Sequence, residues 1–173
     1  MANCRFDIPA YNTLNCEFES GRVVAVAFVD EDKADAASAS DWSSPSFWNT
    51  ETYVTDILIH QKTSGTYAAT AVTVPGKGSQ GNRLAGMDHA VQFRVESMDN
   101  AAYFNALNKS DNYRFVIVTD DYNKILVSDV NVTIIAHLDI QDDPNSVVDW
   151  VVDVTWKSIN NPSVYDAPSG IFN

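Results

Sequence analysis

At 173 residues, of which 45% are hydrophobic, the chain is long enough to bury one core and short for two domains. Its 23 acidic residues outnumber its 11 Lys and Arg residues, and the net charge of -12 argues against a protein that grips nucleic acid by its phosphates. No apolar run approaches the roughly 20 residues that span a bilayer. The N-terminal sequence lacks a secretory-signal pattern, so we expect a protein that is made in a cytoplasm and contacts no membrane.

The N-terminal segment contains both cysteines, Cys4 and Cys16. In a reducing compartment they are expected to be free thiols rather than a disulfide. A zinc site would need two further ligands, and none of the three His residues is spaced to supply them. We therefore predict no metal and no cofactor.

Most of the chain has the pattern of short β-strands. Apolar and polar residues alternate in the last two, where Val152 and Val154 share a face with Trp150 and Trp156, which predicts both Trp side chains in the core. The turn sequences DDYN and QDDPNS join two pairs of strands as hairpins. The predicted strands are 22–29, 53–60, 66–74, 89–95, 114–119, 124–128, 130–140 and 148–158.

One short helix is predicted within 97–111. Tyr103, Phe104 and Leu107 fall on one face at helical spacing, and Ser97 or Asp99 would cap its N-terminus. The absence of strand–helix alternation argues against a parallel sheet. The predicted fold class is mainly β, an antiparallel β-sandwich or barrel with one short helix packed on its side, as a single domain over residues 1–173.

Residues 30–52 predict an extended loop, because they have no apolar period until Trp42, Phe47 and Trp48. Exposed aromatic side chains in such a loop would favour contact with a partner. The alternative is that Trp42 and Trp48 fold back over the open end of the sandwich. The acidic start of the loop, DEDKAD, lacks the spacing of a calcium-binding loop and indicates a solvated face.

The stretch GKGSQG, residues 76–81, matches the glycine spacing of a dinucleotide site. The helix that such a site requires does not follow it. In a phosphate-binding loop the Lys and Ser or Thr come directly after the last glycine, which is not the case here. We predict no nucleotide site. The segment from about 75 to 86 is instead a mobile connection that carries Lys77 and Arg83, either as an assembly arm or as a long turn.

The C-terminal residues, about 159–173, predict an extended arm. Pro162 and Pro168 disfavour regular structure, while four apolar side chains favour a partner. Those side chains are Val164, Tyr165, Ile171 and Phe172. The alternative is a segment that lies against its own domain.

Catalytic motifs are missing from the sequence. Neither G-x-S-x-G nor H-E-x-x-H occurs. His137 alternates outward beside Asp139, which is typical of an exposed contact rather than of a general base. We do not expect an enzyme.

The layout of the chain resembles small virion proteins of tailed bacteriophages, especially those of Bacteroidota hosts. The shared order is an early Cys pair, a strand, a Trp-bearing loop, a glycine-rich connection, the run FRVESMDNAAYFNALNKSDNYRFVIVTDDYNKILVSD, and a final VVDVTWKS with a Pro-containing tail. Residues 88–158 look like the tail-tube fold, a β-sandwich or barrel with one helix on its side. The resemblance covers about half of the chain and includes no diagnostic motif.

This resemblance implies a structural virion protein that assembles in the bacterial host cytoplasm into homo-oligomeric rings, usually hexameric in tubes. The rings would form the tail tube or the neck and tail rings, contact neighbouring tail or neck proteins, and line the genome-delivery channel. An acidic wall suits DNA that passes without specific binding. The candidate inter-subunit contacts are Trp42, Phe47, Trp48, Lys77, Arg83, Val164, Tyr165, Ile171 and Phe172.

Two other functions remain open. A capsid-decorating or head-fibre protein would bind by one end only. A carbohydrate-binding β-sandwich would use Trp42, Trp48, Trp150 and Trp156 as stacking platforms, although the last two share the phase of Val152 and Val154 and are predicted to be core.

Overall fold

The computed structural model describes residues 22–49, 56–78, 81–96, 99–119, 124–140, 142 and 148–172. These residues form nine strands and four short helices. In chain order they are β1 (Val23–Asp30), α1 (Glu31–Ala36), α2 (Ala39–Trp42), α3 (Pro45–Trp48), β2 (Ile57–His60), β3 (Ser64–Val74), β4 (Arg83–Glu96), α4 (Ala101–Leu107), β5 (Tyr113–Thr119), β6 (Lys124–Val127), β7 (Thr133–Asp139), β8 (Asp149–Ser158) and β9 (Ser163–Asp166).

All strand pairs are antiparallel and belong to one sheet, in the order β7-β8-β4-β3-β1-β5-β6-β9, with β2 paired to β1. The mainly β, antiparallel prediction is confirmed. Within the described residues the sheet does not close into a barrel. It folds back on itself, because the ring centroids of Phe115 on β5 and Trp156 on β8 lie 6.2 Å apart although β4, β3 and β1 separate these strands in the sheet.

Strand β1 is the centre of the molecule, because both of its faces are buried. Val26 and Phe28 point into a first core, which β4, β5, β7, β8 and α4 complete. Ala25 and Ala27 point into a second core, which is covered by residues of α2, α3, β2 and the C-terminal residues. A strand buried on both faces is expected to be a continuous apolar run, as VVAVAFV is.

The helix within 97–111 is confirmed as α4, but the residue at its N-cap is Asn100 and not Asp99, and the other predicted cap, Ser97, lies outside the described residues. Asn100 precedes the helix in the left-handed conformation, with φ of 69°, and its side chain makes no capping hydrogen bond. Asn tolerates this conformation better than most residues. Phe104 and Leu107 face the core as predicted, and the Phe104 ring stacks on Trp150 with 4.6 Å between centroids.

Residues 30–49 differ from the loop prediction, because α1, α2 and α3 occupy most of them. Asp30 caps α1 by accepting a hydrogen bond from the Asp32 amide. Ser38 and Asp41 form a capping box at α2, which lowers the pKa of the Asp41 carboxyl through its hydrogen bonds with Ser38. Residues 50–52 of the predicted loop lie outside the described residues.

Candidate assembly surfaces

The hairpin formed by β3 and β4 extends beyond the rest of the sheet. Its two strands pair from Ser64 and Arg94 to Val74 and Arg83, whereas β8 follows β4 only as far as Met87. Beyond Met87, among the described strands, the hairpin therefore pairs only with itself. Its apolar side chains there are exposed: Val72 by 41%, Val74 by 47% and Leu84 by 52%.

The second edge of β3 is open over most of its length. It meets β1 at Gly65 alone, and from Thr66 to Val74 no other described strand pairs with that edge. A Cβ atom on Gly65 would lie 2.9 Å from the carbonyl oxygen of Gln92 on β4. Glycine at position 65 therefore permits the close approach of β3 to β4 at this point. The open edge, TYAATAVTV, contains no charged residue and no Pro, which are the usual protections against strand addition.

Three other strand edges are short or covered. Strands β2 and β9 have four residues each, and β9 ends at the charged residue Asp166, which forms an ion pair with Lys124 on β6. The outer edge of β7 is covered at Ala136, whose backbone exchanges two hydrogen bonds with the Asn108 side chain that follows α4. Among the edges of the described strands, that of β3 is the long one without such protection.

The charge distribution singles out the same region. No Asp or Glu occurs from 57 to 87, where the charged residues are Lys62, Lys77 and Arg83. All 23 acidic residues and the other 8 basic residues lie outside this segment, which leaves a formal charge of -15 there. Sequence reasoning overlooked this acid-free segment, although it was visible as a gap in the acidic residues.

The two basic candidates, Lys77 and Arg83, lie in and beside the turn of this hairpin. Lys77 is exposed in the connection and Arg83 is the first residue of β4. Strand β4 begins six residues before the predicted start at His89, so the connection is shorter than the predicted loop. Residues 79 and 80 lie outside the described residues.

The three aromatic candidates of the α2–α3 region pack inside the chain. Trp42 and Trp48 are 5% and 3% exposed, and the Trp48 indole N–H donates to the Trp42 carbonyl oxygen over 2.9 Å. Phe47 is half-buried against Trp42, and the Lys33 ammonium lies 5.1 Å from its ring centroid. This arrangement agrees with the alternative prediction, in which Trp42 and Trp48 fold back over their own domain. Their role between subunits stays a prediction.

The C-terminal candidates also lie against their own domain. Strand β9 pairs with β6, although no strand was predicted there. Tyr165 stacks on Trp42 at 6.1 Å, and Phe172, which is 2% exposed, meets Trp48 at 5.0 Å. Val164 points outward and is 59% exposed.

None of the four Trp residues presents an open ring. Trp150 and Trp156 are 6% and 5% exposed, as the alternation of β8 predicts, and Trp42 and Trp48 are as deeply buried. Sugar-binding platforms need an accessible ring face. The carbohydrate-binding alternative therefore loses the side chains on which it depended.

The three His residues occupy different environments and do not meet. His60 lies between the sheet and α4, where its Nε2 is 2.7 Å from the Tyr103 hydroxyl, and burial lowers its pKa to about 4. Burial also raises the pKa of Tyr103 well above its usual range. His89 is buried and stacks on Trp156, and His137 is exposed, as predicted. Across the described ranges, no three His, Cys, Asp or Glu side chains are grouped as a metal ion requires.

A comparison with protein-family models gives no match, and neither does a comparison with curated protein sequences. In the part of the chain that the structure describes, no helix is long and apolar enough to cross a membrane.

Proposed function

We propose that this protein is a structural subunit of a tailed-bacteriophage particle that self-assembles into rings of the tail tube or of the neck and tail. The observation that carries the proposal is the projecting β3–β4 hairpin with its open, uncharged edge. A long unprotected strand edge promotes aggregation of a monomer, and in a self-assembling subunit the same edge can bind a strand of a neighbouring copy.

The hairpin has two different edges available for pairing. Among the described strands, none pairs with the outer edge of β3 from Thr66 to Val74, and β8 does not reach β4 from Leu84 to Gly86. Contact between two different surfaces of identical copies is heterologous, and it closes into a ring when the rotation allows. The two edges of one hairpin therefore supply the kind of interface that ring formation needs.

The charge of the chain supports the location of this interface. Copies with a net charge of -12 repel one another, and the repulsion is weakest where acidic residues are absent. The projecting end of the hairpin, from Val72 to Gly86, lies within the acid-free segment 57–87, whereas the rest of β4 contains Asp88 and Glu96. The acidic remainder would face the channel or the solvent, where DNA passes without being held.

The test is a pair of Lys substitutions at Val72 and Val74, which places charges on the projecting end, followed by light scattering and negative-stain imaging. We expect the variant to stay folded, because both side chains are exposed, and to form no rings. Ile135→Lys is the matched control, because Ile135 is 58% exposed on β7, whose edge Asn108 covers. Rings that survive the double substitution would contradict the hairpin interface. A wild-type chain that is monomeric at every concentration would favour a decorating protein.

A further inference from the structure

The C-terminal arm, residues 159–172, is joined to the body by a short connector. Residues 159–162 belong to no strand or helix, and Ile159 is 70% exposed. Pro162 favours an extended conformation at Asn161. Four extended residues span up to about 14 Å, enough to reach a neighbouring molecule.

Beyond this connector the arm docks by a small set of separable contacts. Strand β9 adds to the edge of β6, Tyr165 stacks on Trp42, and Phe172 fits against Trp48. The Gln61 side chain also donates to the Ile171 carbonyl oxygen over 2.7 Å. We call the surface formed by β6, Trp42, Trp48 and Gln61 the arm groove. An empty groove would expose two Trp rings and a strand edge, so it requires an arm, but none of these contacts requires the arm of the same copy.

The connector lies beside the projecting hairpin. Ser158 and Ile159 line a hollow of about 270 Å³ together with Val72, Gly86 and Met87 at the base of the hairpin. If the hairpin is the boundary between subunits, the connector of one copy lies where the next copy begins. A neighbouring groove within reach of the arm has an effective concentration in the millimolar range.

We propose that the arm is exchanged on assembly, so that β9 and Phe172 of each copy occupy the arm groove of a neighbouring copy. The inference rests on the proposed self-assembly. Exchange keeps every contact of the closed arm and turns those contacts into contacts between subunits, which makes it a low-cost way to strengthen an oligomer. In an isolated copy the arm stays in its own groove.

A disulfide across β6 and β9 tests the exchange in the full chain. Lys124 and Asp166 lie opposite each other in this antiparallel pair, and opposite residues have Cα separations of roughly 4.5–5.5 Å, within the range for a disulfide. The variant carries Lys124→Cys and Asp166→Cys, with Cys4 and Cys16 replaced by Ser. The matched control carries Thr133→Cys and Thr155→Cys, which lie opposite each other on β7 and β8, away from the proposed interface.

Chains assembled in reducing buffer and then oxidised are expected to give covalent multimers on a non-reducing gel, whereas the control gives monomers only. Chains oxidised as dilute monomers have locked arms and are expected to need at least a tenfold higher concentration to assemble. Rings that contain only intrachain disulfides would overturn the exchange and leave the proposed function intact. Chains that never assemble would overturn both.

Discussion

Asn108 closes the outer edge of β7 at Ala136. Its side-chain amide donates to the Ala136 carbonyl oxygen over 2.9 Å, and its side-chain oxygen accepts from the Ala136 amide. These two bonds copy those of a residue on a neighbouring strand. The β7 edge is therefore covered at Ala136, whereas the open edge of β3 is suited to strand addition.

Replacing Asn108 with Ala should therefore have two effects. The loss of both hydrogen bonds should lower the free energy of unfolding by about 1–3 kcal/mol, and the uncovered β7 edge should increase non-specific association. Urea denaturation and light scattering measure these effects. Asn112→Ala is the control, because the Asn112 side-chain amide donates to the Asp30 carboxylate in a solvent-exposed hydrogen bond. This variant should lower the free energy of unfolding by less than about 0.5 kcal/mol. Equal effects of the two variants would contradict the edge-guarding role.

Gly65 should be the less replaceable of two glycines on the hairpin. A methyl group at Gly65 would lie 2.9 Å from the Gln92 carbonyl oxygen and 3.0 Å from the Phe93 Cβ, whereas at Gly86 the nearest atom is 3.6 Å away. We expect Gly65→Ala to lower the free energy of unfolding by roughly 1–3 kcal/mol through overpacking. Gly86→Ala should be neutral or slightly stabilising. Thermal unfolding of both variants decides the point, and a neutral Gly65→Ala would refute the close approach.

Phe172 should contribute strongly to the stability of the isolated copy. Because its side chain is 2% exposed against Trp48, Phe172→Ala should lower the free energy of unfolding by roughly 3 kcal/mol. Val164→Ala, at a side chain that is 59% exposed, should change it by less than about 0.5 kcal/mol. Denaturation followed by Trp fluorescence is the measurement. A small effect at Phe172 would mean that the arm is not seated in its groove.

His60 should make the fold sensitive to acid. Burial lowers its pKa from 6.5 to about 4, so between these values the unfolded chain binds a proton that the folded chain does not. Its contribution to stability is fully present above pH 6.5 and falls as the pH drops to 4, by roughly 3 kcal/mol in total. Denaturation at several pH values should show this slope in the wild-type chain and a shallower one in His60→Phe. Equal slopes would contradict the assignment to His60.

The strands with regular alternation were predictable, and so were their faces. Val152 and Val154 are fully buried between Trp150 and Trp156 because a period of two determines both the strand and the side that it buries. The β5–β6 and β7–β8 pairs were predictable from the turn sequences DDYN and QDDPNS that connect them. The beginning of β4 was not predicted because apolar and polar residues do not alternate over Leu84, Ala85 and Gly86. Pairing with β3, and not burial, makes them a strand.

The covering segments were not predictable from local pattern. Helices of four residues, such as α2 and α3, are too short to show a period, and isolated helices of that length are unstable. The packing of Trp42 and Trp48 on the second core holds them. Likewise, Pro162 and Pro168 flank β9 instead of interrupting it, so prolines that argued against regular structure mark its two ends.

Self-assembly through the β3–β4 hairpin can be tested by measuring the mass of the wild-type chain by light scattering as its concentration rises, with negative-stain imaging of the largest species. We predict rings with a central hole that disappear in the variant with Lys at 72 and 74. A chain that stays at its monomer mass of 19.1 kDa throughout, or that forms the same rings with both Lys substitutions, would contradict the account.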